Sequence, residues 1–271
     1  MKAIVLNEYG DSSHLKLAEI PEPKPGDGEI KVKVTAVSGQ VVELGPGVTQ
    51  LKVDDHVLGF VKRGYAEFVT APVEAWATIP KGMSLEDAAI IPLAAMTGAQ
   101  LAEEAANVQG AQTVLVTGAV GAVGRAAVYA AKARGARVIA GVRQQQRAEA
   151  ETLGASTVLA LDVDAELANL PMLDAVADTV GGSTLAKVLG KVKNGGVVAS
   201  TVGQPPGGTE RGVIGKGMLT HTDSKRLAAL AEAVKAGKLR LPIAKRLPLA
   251  EAASAQRLAE AGGISKVLLK V

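Results

Sequence analysis

Hydrophobic and polar residues alternate in short runs along the first part of the chain, which predicts β-strands separated by turns. In residues 29–37, Ile30, Val32 and Val34 fall on one face of a strand, while lysine and threonine side chains fall on the other. The same pattern predicts strands over residues 2–7, 15–20, 54–61 and 66–71. Many short strands at regular turn spacing favour a small β barrel or sandwich.

Turn residues interrupt these runs at two places. Residues 21–28 combine proline and glycine and predict a surface loop, because proline cannot donate to a strand ladder. Ser38, Gly39 and Gln40 predict a short turn between a strand that ends at Val37 and one that starts at Val41. We expect the two flanking strands to pair directly as a hairpin.

From Gln112 the pattern changes to an alternation of strands and helices. Strands are predicted over residues 113–117, 137–142, 157–161, 173–178 and 197–202, and helices over 122–134, 144–153, 183–192 and 223–236. This alternation implies an α/β fold with a doubly wound parallel sheet that helices cover on both faces. A mostly helical segment over residues 88–106 precedes the alternating strands and helices, with an interruption around Pro92. Ser84 is the predicted N-cap of this helical region.

The tail of the chain does not continue the alternation. Residues 251–261 predict a helix and residues 266–271 a last strand. We therefore expect the tail to return to the first domain. The predicted division is a smaller β domain made of residues 1–92 and 238–271, and a parallel-sheet domain made of residues 93–237.

A glycine-rich turn follows the strand at residues 113–117 and opens a helix. Glycines let the backbone approach a pyrophosphate, and the helix N-terminus offers free N–H groups and a positive dipole end. The strand, turn and helix order is the context that a dinucleotide-binding fingerprint requires. The candidate pyrophosphate-binding residues are Ala119, Val120, Gly121, Ala122, Val123 and Gly124. The alternative is a tight turn that only packs a helix on a strand.

The end of the next strand addresses the choice of cofactor. A site that prefers NAD places an acidic residue there for the ribose hydroxyls. Residues 140–147 contain no acid and two arginines, Arg143 and Arg147. A guanidinium can bind a 2′-phosphate through bidentate, charge-assisted hydrogen bonds, so the sequence favours NADP(H) over NAD(H). The alternative is that both arginines lie on a solvated helix face.

Further segments accompany this loop in a recognisable order. They are residues 88–99, 174–182 and 194–196, together with 29–37, 42–49, 64–68 and the tail from Leu247. With the loop, they resemble the medium-chain dehydrogenase/reductase superfamily, and more narrowly its zinc-independent quinone oxidoreductase, or zeta-crystallin-like, branch. The resemblance implies a GroES-like catalytic domain built from both chain ends around a Rossmann NADP-binding domain. It also implies hydride transfer to a quinone or an α,β-unsaturated carbonyl, and a homodimer joined at Rossmann sheet edges.

The resemblance also implies roles for individual residues. Residues 120–123 would lie over the pyrophosphate, and Arg143 would meet the 2′-phosphate. Leu161 stands where relatives often place an aromatic residue or histidine against the adenine, which weakens that contact here. The residues implied near the nicotinamide and its ribose are Thr97, Gly182, Thr201, Val202 and Gly203. The alternatives are a helix-packing role for Thr97 and a plain turn role for Gly182.

One junction departs from the family pattern. Relatives have a longer segment where Ser38, Gly39 and Gln40 bridge two strands, and that segment carries a wall of the substrate cleft. Positioning of a substrate supplies several kcal/mol of rate enhancement, so an opened cleft loses turnover. We expect retained NADPH binding with weak or absent turnover. The alternative is a non-catalytic NADPH-binding protein or an engineered, truncated scaffold.

Composition excludes several other classes of function. The chain has no cysteine and three widely separated histidines, so we predict no metal site. Aromatic residues make up 2% and the net charge is +3, which disfavours a nucleic-acid partner. No apolar run reaches the roughly 18 residues of a membrane span. No signal peptide is recognised either, so we expect a cytoplasmic protein.

No residue is assigned as catalytic from the sequence. Asp54 and Asp55 are adjacent, so on a strand they point to opposite faces and cannot work as a carboxylate pair. Tyr65 is the remaining candidate for a proton donor, and its alternative is a packing role in the β domain.

Overall fold

The computed structural model describes residues 1–36, 38–206, 211–262 and 266–271. Their strands are β1 (Lys2–Leu6), β2 (Leu15–Glu19), β3 (Glu29–Val34), β4 (Ser38–Leu44), β5 (His56–Gly59), β6 (Phe68–Pro72), β7 (Trp76–Thr78), β8 (Thr113–Thr117), β9 (Arg137–Val142), β10 (Thr157–Ala160), β11 (Leu173–Asp178), β12 (Val192–Ser200), β13 (Ile214–Gly217), β14 (Ile243–Pro248) and β15 (Lys266–Lys270). The α-helices are α1 (Leu85–Ala89), α2 (Met96–Gln100), α3 (Ala122–Ala133), α4 (Arg147–Glu151), α5 (Asp164–Ala168), α6 (Gly182–Leu189), α7 (Ser224–Lys235) and α8 (Ala252–Ala261). Within these ranges no helix is both long and apolar enough to span a membrane.

The chain divides into two units, and residues 94–220 form the second. Its sheet has the strand order β10-β9-β8-β11-β12-β13, and every neighbouring pair is parallel. The predicted doubly wound α/β sheet is therefore confirmed. The order reverses between β8 and β11, so the carboxyl ends of these two strands border a crevice. Open α/β sheets bind their ligands at such a switch point.

Leucine, valine and alanine residues build most of the interior of the second unit. Leu115, Val176 and Val198 are fully buried in the central strands, as is typical of a sheet covered on both faces. The inner face of α3 is mostly alanine, which lets α2 approach closely. At Gly98 of α2, a side chain would collide with the backbone carbonyl of Val123. The alanine content of this region therefore reflects close helix packing, which fixes the start of α3.

The first unit comprises residues 1–93 and 221–271. It contains a five-stranded antiparallel sheet with the order β6-β3-β4-β5-β7, an antiparallel β1-β2 pair and a parallel β14-β15 pair. Ile30, Val32 and Val34 of β3 are buried, as the alternation predicted. They form a core with apolar residues of β4, β5, β6 and β7.

The predicted turn at Ser38–Gln40 is wrong, because these residues belong to β4. Gly39 pairs with Val34 of β3 on one side and with Val57 of β5 on the other, so both edges of the segment are used. A side chain at Gly39 would collide with the carbonyl of Lys33, which explains the glycine. The connection lies earlier, where the Thr35 N–H donates to the carbonyl of Ser38 at 2.9 Å. Val37 lies outside the described residues, while the predicted direct pairing of β3 with β4 is confirmed.

Helix α7 belongs to the first unit, whereas the sequence prediction put it in the second. It packs on β5 and β7 and buries Leu227 and Leu230. The return to the first unit therefore begins at His221 rather than at Lys238. The sequence predicted a helix over residues 223–236, but helical periodicity contains no information about which sheet covers it.

Several elements differ from the predicted ones because their local patterns are weak. Strands β7, β13 and β14 and helix α5 were not predicted, since they are short or interrupted by glycine, lysine and proline. Val192 was assigned to a helix but starts β12, where it pairs with Leu173. The segment around Pro92 forms a π-helical turn, Ile91–Ala95, and a second one, Leu101–Ala105, follows α2.

Candidate functional site

The turn between β8 and α3 is built around its glycines. Gly118 has a φ of 61°, a left-handed conformation that favours glycine, and a Cβ there would lie 2.5 Å from Thr179 Oγ1. At Gly124 a Cβ would collide with the carbonyl oxygen of Gly118. The Gly121 N–H closes the turn by donating to that carbonyl at 2.9 Å. The strand end and the helix start are therefore held in van der Waals contact.

Backbone amides at the start of α3 separate into two groups. The Ala119 N–H donates to the Gly141 carbonyl at 3.2 Å, and the Gly121 N–H is used in the turn. The amides of Val120, Ala122, Val123 and Gly124 hydrogen-bond to no described residue. Helix α3 has 12 residues and no acidic residue in its first turn. Four unpaired donors therefore lie in or just before the first turn of α3, where the positive end of the helix dipole also lies, which suits an anion.

Arg125 stabilises this turn through a hydrogen bond to its backbone. This residue was not identified from the sequence. Its side chain is 7% exposed, and its Nε donates to the Val120 carbonyl at 2.8 Å. Its guanidinium also forms an ion pair with Glu149 of α4. The available signal was a single arginine on the otherwise alanine-rich, buried face of α3.

Asp178 organises the crevice where the strand order reverses. It is the last residue of β11 and is fully buried. Its Oδ1 accepts hydrogen bonds from the Thr117 hydroxyl at 2.6 Å and from the Gly181 N–H at 3.0 Å, and its Oδ2 accepts one from the Ser200 hydroxyl at 2.7 Å. All of these groups donate, and the two carboxyl oxygens of Asp178 accept. Three neighbouring strand ends are thus joined through one side chain.

The same hydroxyl groups fix two loops at this edge of the sheet. The Thr179 N–H donates to Thr117 Oγ1 at 3.0 Å, and the Val202 N–H donates to Ser200 Oγ at 3.2 Å. The Thr201 N–H donates to the Asp178 carbonyl at 3.1 Å. These loops border a surface depression of about 230 Å³, whose lining includes Gly181, Gly182, Leu185, Val202, Gly203 and Pro205. The structure therefore brings four of the predicted residues, Gly182, Thr201, Val202 and Gly203, to one edge.

The two arginines predicted to contact a 2′-phosphate have different environments. Arg143 follows β9 directly, is exposed, and its guanidinium pairs with no described residue. Arg147 forms an ion pair with Glu166 of α5 and donates to the Val158 carbonyl at 3.3 Å. The Ala160 N–H and then Arg147 hold the pKa of Glu166 below its ordinary value. Arg147 thus has protein partners already, and Arg143 is the exposed guanidinium of the pair.

Thr97 and Leu161 take packing positions. Thr97 is buried in α2, and its Oγ1 lies 2.5 Å from Thr220 Oγ1. Leu161 is buried and would collide with any side chain at Gly141 of β9. Thr97 and Thr220 both lie in the second unit, and Thr220 lies outside the helices, so the Thr97 hydroxyl contacts a loop residue.

No group of three or more histidine and acidic residues in the described parts of the chain could hold a metal ion. Asp54 and Asp55 have separate partners: Asp54 accepts from Gln40 Nε2 at 2.8 Å, and Asp55 accepts from the Lys52 N–H at 3.0 Å. Tyr65 is 49% exposed, and its hydroxyl bonds to no described residue. Among the described residues, neither these two aspartates nor Tyr65 therefore has an acid–base partner of the kind a proton transfer needs.

Sequence comparison finds relatives over parts of the chain. The family model "Zinc-binding dehydrogenase" matches residues 153–265. A quinone oxidoreductase-like protein 2 homolog from Nematostella vectensis is 38% identical over 128 residues, which cover 46% of this chain and 35% of that protein. The phthioceranic/hydroxyphthioceranic acid synthase of Mycobacterium tuberculosis is 32% identical over 169 residues. The match covers 52% of this chain but 8% of the synthase, so the chain spans a small part of that relative's length.

Structural comparison covers the whole chain. The quinone oxidoreductase from Coxiella burnetii aligns with a TM-score of 0.88 and 26% identity over 100% of this chain and 99% of that one. An NAD-dependent alcohol dehydrogenase aligns with a TM-score of 0.87 and 26% identity over 100% of both chains. A mycobacterial protein complexed with NADPH aligns with a TM-score of 0.85 and 27% identity, also over 100% of both chains.

Proposed function

Because the chain belongs to the medium-chain dehydrogenase/reductase superfamily, we propose that it is an NADPH-dependent oxidoreductase that works without zinc. Its substrate class in this proposal is a quinone or an α,β-unsaturated carbonyl. The six-stranded unit has the Rossmann fold and the antiparallel unit the GroES-like fold of that superfamily. The observation that carries the proposal is the set of four unpaired amides at the start of α3.

The turn before α3 fits the diphosphate of a dinucleotide. Gly118 and Gly124 let the end of β8 and the start of α3 approach closely, because a Cβ at either position would collide with Thr179 or with the Gly118 carbonyl. The free amides of Val120, Ala122 and Val123 supply donors, and the dipole of α3 favours the negative charge. Proteins of this fold bind dinucleotides across the crevice where the strand order reverses, which here is flanked by β8 and β11.

Arg143 favours NADPH over NADH. It lies directly after β9, where a site for NAD would carry an acidic residue, and its guanidinium pairs with no described residue. Structural relatives include an NAD-dependent alcohol dehydrogenase and a protein complexed with NADPH, so the superfamily alone does not choose the cofactor. The choice therefore depends on this arginine.

Hydride transfer needs little from the chain beyond positioning. NADPH, when bound, would supply the hydride, and water would supply the proton. The loops at Thr179–Gly181 and at Thr201–Gly203, which Asp178 and Ser200 hold, form a fixed wall beside the depression at Gly182. Such a wall would restrict a bound nicotinamide ring to few orientations, which lowers the entropic part of the activation barrier for hydride transfer. The absence of cysteine supports chemistry without a thiolate-bound zinc ion.

The direct hairpin of β3 and β4 favours a second candidate, a non-catalytic NADPH-binding protein. Strand β4 follows β3 after residues 35–37, so the first unit has no room there for a cleft-forming segment. Without that wall, substrate positioning and exclusion of water both weaken. The proposed enzyme therefore binds NADPH and turns over slowly, and in the extreme case does not turn over.

A paired experiment tests these proposals. NADPH and NADH are titrated into the protein by fluorescence, and a small 1,4-quinone or a small enone is then added to the NADPH sample while NADPH absorbance is followed. We expect tighter binding of NADPH than of NADH, with slow oxidation. Binding without oxidation would support the non-catalytic candidate. Failure to bind either nucleotide would overturn both.

A further inference from the structure

Arg125 places a cation where a helix ordinarily disfavours one. The positive end of the α3 dipole lies at its first turn, which is more stable with acidic side chains than with basic ones. The Arg125 guanidinium is buried there and donates a hydrogen bond to the carbonyl of Val120. Val120 directly precedes Gly121, the N-cap of α3. A neutral side chain would fill the same space at a lower electrostatic cost, so packing alone does not account for the arginine.

Glu149 is the only carboxylate that the described residues offer to this guanidinium. It lies on α4, directly after the segment that contains Arg143, and its side chain is 48% exposed. An exposed carboxylate is screened by water and offsets only part of a buried charge. The ion pair therefore leaves a net positive field on the side of the turn that faces the amides.

We propose that Arg125 is a positioning residue of the diphosphate site: it fixes the Val120 peptide and supplies a permanent positive charge behind the amides, and Glu149 attenuates that charge. This inference rests on the proposed function, because it assumes that a nucleotide diphosphate lies over the turn. It assigns Arg125 to the diphosphate and Arg143 to the 2′-phosphate, so the two arginines act on different parts of one ligand.

The proposal predicts opposite effects for the two partners of the ion pair. Arg125→Gln removes a charge that acts on the ligand through the turn and weakens ADP binding by roughly three- to tenfold, the scale of one partly screened charge pair. Glu149→Gln leaves the guanidinium without its carboxylate, so the ligand becomes its main anionic partner and ADP binds several-fold more tightly. A purely structural ion pair would give the same direction of change for both variants, because either one loosens the turn.

Three probes separate the diphosphate from the 2′-phosphate. All three probes contain adenosine and differ in their phosphate groups. ADP carries the diphosphate, adenosine 2′-phosphate carries the 2′-phosphate, and NADPH carries both. Calorimetric titration of each probe is expected to show that Arg125→Gln weakens ADP and NADPH but not adenosine 2′-phosphate. Arg143→Ala is expected to weaken adenosine 2′-phosphate and NADPH but not ADP. Arg125→Lys keeps the charge without the guanidinium fork and should bind ADP more tightly than Arg125→Gln.

Matched controls come from an exposed ion pair elsewhere in the second unit. Lys187 of α6 pairs with Asp164 at 3.2 Å, so Lys187→Gln and Asp164→Asn make the same charge changes away from the turn. Both controls should change ADP affinity less than about twofold. Thermal melts establish that each variant is folded at the temperature of the titration.

The outcomes distinguish this inference from the proposed function. If the unaltered protein binds neither ADP nor NADPH, the proposed function fails. If it binds both but Arg125→Gln leaves ADP affinity unchanged, or Glu149→Gln weakens ADP binding, the role given to Arg125 is overturned. Weakening by Arg125→Gln together with tightening by Glu149→Gln supports it.

Discussion

The hydroxyl of Thr117 donates a hydrogen bond of 2.6 Å to Oδ1 of Asp178, and both residues are fully buried. Thr117 ends β8 and Asp178 ends β11, the two strands between which the sheet order reverses. The same hydroxyl accepts the Thr179 N–H, so it links the turn before α3 to the loop that follows β11. The two sides of the crevice are therefore fixed to each other.

Thr117→Val tests this link with almost no change in shape. The valine leaves Asp178 with one donor fewer and the Thr179 N–H without its acceptor, so we expect a loss of about 1–3 kcal/mol in the free energy of unfolding. Urea denaturation measures it. Thr157→Val on the exposed face of β10 is the control, with an expected change within about 0.5 kcal/mol. Equal stability of the two variants would contradict the role of this hydrogen bond.

Gly124→Ala is expected to disturb the turn before α3. The new methyl group would collide with the Gly118 carbonyl, which is backbone and cannot rotate away. Overpacking of this kind costs about 1–3 kcal/mol, and displacement of the helix start should also weaken NADPH binding. Gly190→Ala at the end of α6 has open space around it and a helical φ of −61°, so it serves as the control. A Gly124→Ala protein with unchanged stability and NADPH affinity would show that the turn adapts.

Arg143→Ala should reduce the preference for NADPH. Loss of a charge-assisted contact to the 2′-phosphate is expected to weaken NADPH binding about tenfold or more and to leave NADH binding unchanged. Fluorescence titration of both nucleotides gives the ratio. Arg134→Ala, at the exposed C-terminal end of α3, removes the same charge from another surface. An unaltered ratio in Arg143→Ala would refute the assignment of the 2′-phosphate to this residue.

Glu166 should make stability depend on pH in the acid range. The Ala160 N–H and Arg147 lower its pKa from 4.5 in the folded protein, so its stabilising contribution is present above that value. The contribution is lost as the pH falls through the lowered pKa. Glu166→Gln should therefore be less stable than the unaltered protein at pH 7, and the difference should shrink steadily below about pH 4. Urea denaturation across this range measures it, and a constant difference would contradict the ion pair.

The second unit was largely predictable because its signals are local. The predicted bounds of β8, β9 and β11 match the structure, since each strand has an apolar centre and ends at a turn or just before a helix. The turn before α3 was also identified from its glycines. Free amides at the helix start were predicted too, but not which amides the protein already uses, because the hydrogen bond from Ala119 to Gly141 joins residues distant in sequence.

The residues that sequence reasoning missed act through contacts between elements. The ion pair of Arg125 forms only because α3 lies beside α4, which carries Glu149. Hydrophobic periodicity does not reveal which helices are neighbours. The shift of Ser38 from turn to strand depends on β5, which occupies the second edge of β4. Interpretations of Arg147 as a ligand-binding residue and as a surface residue were both open in the sequence, and its partner Glu166 comes from α5, which was not predicted.

The direct connection of β3 to β4 makes the first unit a natural acceptor for grafted sequence. Thr35 and Ser38 are hydrogen-bonded to each other, so a peptide inserted between them starts and finishes at adjacent points of the sheet. The entropic cost of closing such a loop rises only slowly with its length, and the strand register on either side need not change. Segments taken from active relatives could thus be installed one at a time. The contribution of each inserted segment to turnover would then be measured as an increase in rate over that of the protein without an insertion.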